Sequence, residues 1–206
     1  MPHLNQRSTR PAQPGATVWL TGLPSSGKTT IARAATTRLR AAGRRVEVLD
    51  GDEVRRFLTA GLGFSREDRD ANVARIGWVA QVLASNGIIV LVPVIAPYAD
   101  GRRGVAERHA NLDTCFFEVH VAAPLEVCAA RDVKGLYARQ AAGHLKGLTG
   151  VDAPYEPPAA PDLRVDSHLQ TVKESAATVV DLLRRRGLLG DGAAGARPAG
   201  GVGGDR

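Results

Sequence analysis

At 206 residues the chain is long enough for one domain with a substantial core and too short for two comfortable ones. A formal charge of +6 and a pI of about 9.9 would suit nucleic acid, but the Arg residues are spread along the chain and the longest basic run is "RRR" at 184–186; a small polyanionic substrate explains the surplus as well. No stretch reaches the roughly 18 apolar residues of a membrane span and "MPHLNQRSTRPAQPG" has no apolar signal-peptide core, so a cytoplasmic chain that binds neither nucleic acid nor membrane is expected.

Residues 1–15 are polar and aperiodic, and 190–206, "GDGAAGARPAGGVGGDR", are Gly/Ala-rich, so both ends are expected to be disordered around a domain at 16–189. Within it the pattern predicts a strand at 17–21, a helix at 27–42 ended by Gly43, a strand at 45–49, a short helix from about 52 and a helix at 67–86 ended by Gly87. A strand at 88–92, a helix at 100–110, a strand at 115–121, a helix at 124–131 with Pro124 in its first turn, a strand at 163–165 and a helix at 170–186 follow. Pro93 cannot donate to a sheet ladder, so the strand ends there and "VIAPYAD" becomes a loop. Strand–helix alternation of this kind implies an α/β fold with a parallel sheet covered by helices on both faces, which binds ligands at the carboxyl ends of its strands. Cys115 and Cys128 form no C-x-x-C and lie in apolar segments, so both are expected as buried thiols. The five His show no metal-ligand spacing.

Between the first strand and first helix stands "GLPSSGKTT", a full match to G-x-x-x-x-G-K-[ST] in the strand-to-helix context that the motif requires. Gly22 and Gly27 let the backbone wrap a polyphosphate, with the helix N-terminus aimed at the anion. Lys28 reaches the β- and γ-phosphates of ATP and the Thr29 hydroxyl holds Mg²⁺; Leu23, Pro24, Ser25, Ser26 and Thr30 complete the nucleotide-binding stretch. The fold is accordingly expected to be of the P-loop NTPase type, three-layered. A guanine-reading N-K-x-D is absent, and "DVKG" at 132–135 comes too late to be a switch motif, so a kinase is expected rather than a GTPase switch.

The second strand ends in "LDGDEVRR". Asp50 and Asp52 then lie beside the phosphate loop, where Asp50 can order the metal's water shell and Asp52 can orient an acceptor hydroxyl, while Arg55 holds an anionic acceptor. The same Asp pair suits a helix N-cap, and Asp52 can serve both ends. In "LGFSREDRDANVARI", Phe64 sits on a Gly-rich loop beside Arg69 and Asn72, three apart on one helix face. A loop Phe there can stack a base or enter the core. Only four of the 27 basic residues are Lys. Lys134 and Lys146 bracket a Gly-containing segment that could close over the site, exclude water and add positive charge.

Taken together, "GLPSSGKTT", "LDGDEVRR", "LGFSREDRDANVARIGWVA", "IAPYADGRR", "FEVHVAAPLEVCAARDVKGLY" and "GLTGVDAPYEPP" resemble, in order and spacing, the adenylylsulfate kinase family over about residues 15–187. The resemblance implies transfer of the ATP γ-phosphoryl group to the 3′-hydroxyl of adenosine 5′-phosphosulfate. It implies that Phe64 stacks on the substrate adenine, that Arg55, Arg69 and Asn72 grip its phosphosulfate against Asp52, and that Ile95, Ala96 and the following "PY" line the acceptor site. Residues 131–150 would form a mobile lid whose Arg131, Lys134 and Lys146 meet phosphates. A homodimer, and an association with sulfate adenylyltransferase, belong to the same implication.

Three positions depart from the family's usual residues. Ala96 replaces a phosphorylatable Ser, Ala141 stands where Arg is usual, and Leu148 replaces a Phe that flanks the adenine opposite Phe64, which weakens the base sandwich. The motifs leave two alternatives in view: a P-loop kinase for another small acceptor, and a non-catalytic nucleotide-binding regulator.

Overall fold

The computed structural model describes residues 13–189, so the expectations of disordered ends at 1–12 and 190–206 lie outside the described residues. Among the described residues five strands, β1 (Ala16–Thr21), β2 (Val46–Val48), β3 (Ile89–Pro93), β4 (Cys115–Ala122) and β5 (Leu163–Asp166), form one sheet in the order β2-β3-β1-β4-β5. Every pairing is parallel. β1 is wholly buried because it has a strand on each side and helices on each face.

Successive strand residues point to opposite faces, and β1 splits two cores accordingly. Val18 and Leu20 face Ile31 and Leu39 of α1 (Lys28–Ala41) and Val179 and Leu183 of α7 (Val172–Arg185). Trp19 faces Val73 and Ile76 of α3 (Arg66–Ser85) and Val105 of α4 (Ala99–Ala110). At Gly77 a Cβ would lie 2.5 Å from Val105 Cγ2, so α3 and α4 pack this closely only because that position is bare. Pro93 closes β3 opposite Leu20, at the strand end where its missing N–H breaks no ladder.

Short helices fill the carboxyl edge of the sheet: α2 (Gly51–Phe57), α5 (Leu125–Arg131) and α6 (Leu136–Ala141). The last was not anticipated from sequence. Gly135 precedes it at φ +64°, and the Asp132 carboxylate, one turn upstream, accepts from Tyr137 N at 3.1 Å and Ala138 N at 2.9 Å. At the opposite edge the buried Arg44 guanidinium donates to the carbonyls of both Pro14 and Leu188, joining the two ends of the described chain. Among the described residues no helix is long and apolar enough to cross a membrane. Cys128 is buried as expected, but Cys115 is exposed, because it opens β4 where the strand emerges from under its helices.

Candidate active site

A cleft of about 700 Å³ opens at the carboxyl edge of the sheet, between the phosphate loop, α2, the start of α3, residues 93–97, the start of α6 and the start of α7. The loop's geometry follows from its glycines. Gly27 has φ +100°, which favours a residue without Cβ. A Cβ on Gly22 would meet Val121 O at 2.4 Å. Lys28 folds back under the loop and donates to Gly22 O at 2.9 Å, Leu23 O at 2.7 Å and Ser26 Oγ at 3.4 Å. Burial lowers its pKa to about 7, against weaker opposing pulls from Cys128, Asp52 and Asp50. Burial therefore outweighs the groups that favour the ammonium, and an arriving anion would favour its charged form further. Pro24, Ser25, Ser26, Gly27, Thr29 and Thr30 line the cleft, whereas Gly22 and Leu23 serve it through their carbonyls.

At the β2–α2 corner the structure divides the two acids. Asp50 is buried and caps α2, its carboxylate accepting from Asp52 N at 3.0 Å. The cap expected at Asp52 thus belongs to Asp50, since Asp52 already lies in the first turn. Asp52 is free to project outward, and its carboxylate pairs with Lys134 from the segment after α5. Thr29, Asp50 and Asp52 offer only oxygens to the same cleft. No group of three His, Cys, Asp or Glu able to hold a metal occurs among the described residues. This sparse oxygen set fits Mg²⁺, which keeps several waters and leans on substrate phosphates, and does not fit a metal held by a full protein cage.

In the same cleft, Phe64 is 68% exposed and so is not a core residue. Its ring is flanked by the guanidinium carbons of Arg55 at 4.6 Å and Arg69 at 6.0 Å. Burial, and then the like charge of Arg69, lower the Arg55 pKa. Two adjoining guanidinium groups of this kind repel one another until an anion lies between them. Arg69 donates Nε to Phe64 O at 2.8 Å and Nη2 to Gly147 O at 2.7 Å, and also bonds the Thr149 hydroxyl, so it ties the aromatic loop to residues 147–149. Asn72, on the same face of α3, is buried and accepts from the Thr59 hydroxyl at 2.8 Å. Ile95 and Ala96 complete this side.

Three expected residues are not brought in: Tyr98 is buried where α4 begins, with the Arg66 guanidinium carbon 4.4 Å from its ring, and does not line the cleft. Lys146 is exposed outside the cleft lining. Leu148 is buried in a satellite core with Cys128 and Tyr137, because the Asp152 carboxylate accepts from Gly147 N at 2.8 Å and Leu148 N at 2.6 Å and turns the side chain inward. Arg131 does line the cleft, donating to Ser167 O at 2.8 Å. Ser167, Gln170, Thr171, Val172 and Ser175 also line it and were missed. Their signal was available: the end of β5 and the start of α7 lie on the edge where such sheets bind ligands.

Comparison with known proteins agrees with this arrangement. The sequence model of the adenylylsulphate kinase family matches residues 14–166. An adenylyl-sulfate kinase of Rippkaea orientalis is 52% identical over 177 residues, covering 86% of this chain and 96% of that protein. Among solved structures, the Mycobacterium tuberculosis APS kinase in complex with AMPPNP and APS is 44% identical with a TM-score of 0.81, covering 83% of this chain and 98% of that one. A hexameric APS kinase from Thiobacillus denitrificans is 36% identical with a TM-score of 0.65, covering 86% of this chain and 30% of the other. With a phosphate loop, an acidic corner and an aromatic ring beside two guanidinium groups around one cleft, and with relatives at half identity over nearly their whole length, the chain belongs to the adenylylsulphate kinase family.

Proposed function

We infer that this chain transfers the γ-phosphoryl group of ATP to the 3′-hydroxyl of adenosine 5′-phosphosulfate. The observation that carries this reading is the exposed Phe64 ring beside Arg55 and Arg69, in the same cleft as Lys28 and Asp52. A π-face beside two cations suits an acceptor with a base at one end and an anion at the other.

In this reading the phosphate loop amides and Lys28 take the ATP phosphates, and the Lys28 ammonium leaves its three loop acceptors to do so. Thr29, with Asp50 acting through water, would hold Mg²⁺, which neutralises charge on the β- and γ-phosphates. Asp52 orients the acceptor hydroxyl and accepts its hydrogen bond as the oxygen attacks phosphorus. Lys134, released from Asp52, follows the transferring group as the 131–150 segment closes and excludes water. Phosphoryl transfer depends mainly on in-line positioning and charge stabilisation, so Ala96, which cannot carry a phosphoryl group, is compatible with direct transfer in a ternary complex. Ser26, Ser167 and Arg131 form the ATP side, joined by Ser167 Oγ donating to Ser26 O at 2.7 Å. A homodimer, an association with sulfate adenylyltransferase and a cytoplasmic location accompany this reading on family resemblance.

A coupled assay with ATP, Mg²⁺ and a panel of acceptors tests it. Turnover is expected with adenosine 5′-phosphosulfate and not with sugar acids or nucleoside monophosphates, and γ-labelled ATP alone should leave no covalent label. Faster turnover of another acceptor would reassign the substrate, and tight ATP binding without any product would make the chain a nucleotide-binding regulator.

A further inference from the structure

The acceptor-side wall of the cleft includes main chain at residues 93–97, and one residue in it departs from ordinary geometry. Ala96 has φ +43°, in the left-handed region that a residue bearing a Cβ disfavours and keeps only where its surroundings hold it.

What holds it lies outside the cleft lining. Three consecutive carbonyls, those of 95, 96 and 97, are each anchored by a different element. The Thr21 hydroxyl at the end of β1 donates to Ile95 O. Arg102 of α4, only 4% exposed, donates Nη1 to Ala96 O at 2.8 Å. Glu156 N donates to Pro97 O at 2.8 Å. Arg102 then joins these anchors, because its Nη2 donates to Glu156 O at 2.8 Å and its Nε to Glu118 Oε1 at 2.6 Å on β4. Glu156 returns a third bond, its Oε2 accepting from Ala99 N at 2.7 Å. The planar fork thus reaches three directions that a lysine ammonium could not reproduce, and Glu118 balances its buried charge.

We propose that Arg102 is a positioning residue for the acceptor: it holds the Ala96 peptide in its left-handed form and locks the acceptor wall to the chain that follows the 131–150 segment, without lining the cleft itself. This rests on the phosphotransfer reading above. ATP, seated on the phosphate loop and the start of α7, should feel little of it.

The test uses the full chain with Arg102→Gln, measuring steady-state constants for each substrate and acceptor affinity by calorimetry. Acceptor KM and Kd should rise about tenfold, the left-handed penalty read as affinity at 1.4 kcal/mol per decade, with ATP KM changed less than about twofold on the same reasoning. Adding Ala96→Gly, which adopts the left-handed form without a Cβ clash, should recover most of the acceptor affinity but not the melting temperature. If Arg102→Gln does not fold because Glu118 is left unpaired, the Arg102→Gln/Glu118→Gln pair removes that charge and carries the same expectation. Equal shifts in both KM values, or no rescue by Ala96→Gly, would make Arg102 a merely structural residue. Absence of turnover in the parent chain with adenosine 5′-phosphosulfate would instead overturn the phosphotransfer reading itself.

Discussion

Replacing Lys134 with Ala separates what the Lys134–Asp52 contact does for the fold from what it does for the reaction. The two side chains are 53% and 56% exposed, and exposed ion pairs contribute about 0.2–1 kcal/mol. For a domain of this size a kcal/mol corresponds to about 2–4 °C, so the melting temperature should fall by less than about 4 °C. If the ammonium moves onto the transferring phosphoryl group in a water-poor closed site, its loss should lower kcat by about 10²–10³. Thermal melting and the coupled kinase assay on one preparation give both numbers. Turnover within about threefold of the parent, well short of the decades lost with such a donor, would mean that Lys134 only pairs with Asp52. A melting temperature lowered by far more than 4 °C would show that the α5–α6 connection needs the contact to fold.

The acidic corner should divide in the same way. Asp52→Asn should leave melting nearly unchanged while turnover falls about 10²-fold or more, whereas Asp50→Ala removes the α2 cap and should cost about 1 kcal/mol in urea unfolding. Phe64→Ala should weaken acceptor binding by about 1–3 kcal/mol with ATP KM and stability held, and parallel changes in both substrates would point to a packing role. Lys28, with its pKa lowered to about 7, is mostly neutral at pH 8, and bound polyphosphate favours its charged form. ATP binding at pH 8 should therefore take up a proton, seen as a buffer-dependent calorimetric enthalpy that Lys28→Met abolishes. By the same sign, this group makes the unliganded protein more stable as pH rises from about 7 toward 10.5, where the unfolded chain holds a proton that the folded one does not.

The elements most legible in the sequence are those whose signal is local. The phosphate loop, the alternating strands and the Gly-terminated helices all lie within about two residues of their expected bounds. α6 was missed because Gly135 and Gly143 bracket only six helical residues, and what nucleates them is the Asp132 carboxylate rather than any periodicity. Asp50 and Asp52 were read as a pair because two acids one residue apart look alike until the helix start assigns the cap to the first. Leu148 marks a different limit. Its place opposite Phe64 came from family resemblance, but the turn fixed by Asp152 sends it into the satellite core. Lys146 was singled out by scarcity, which carries no information about direction. The Ser167–Ser175 edge was legible as the carboxyl end of a predicted strand, but which of its residues reach the cleft depends on how β5 docks beside β4, a long-range pairing.

The Arg44 clamp brings residues 14 and 188 onto one guanidinium at the edge of the sheet remote from the cleft. Topologically this makes the domain almost a ring. A short Gly-Ser bridge between those two points would close it, and new ends could be opened in an exposed connection such as the Asn111–Thr114 turn without crossing the nucleotide-facing edge. A protein fused at either position would likewise sit behind the sheet, leaving the mouth of the cleft clear for substrates to enter and leave.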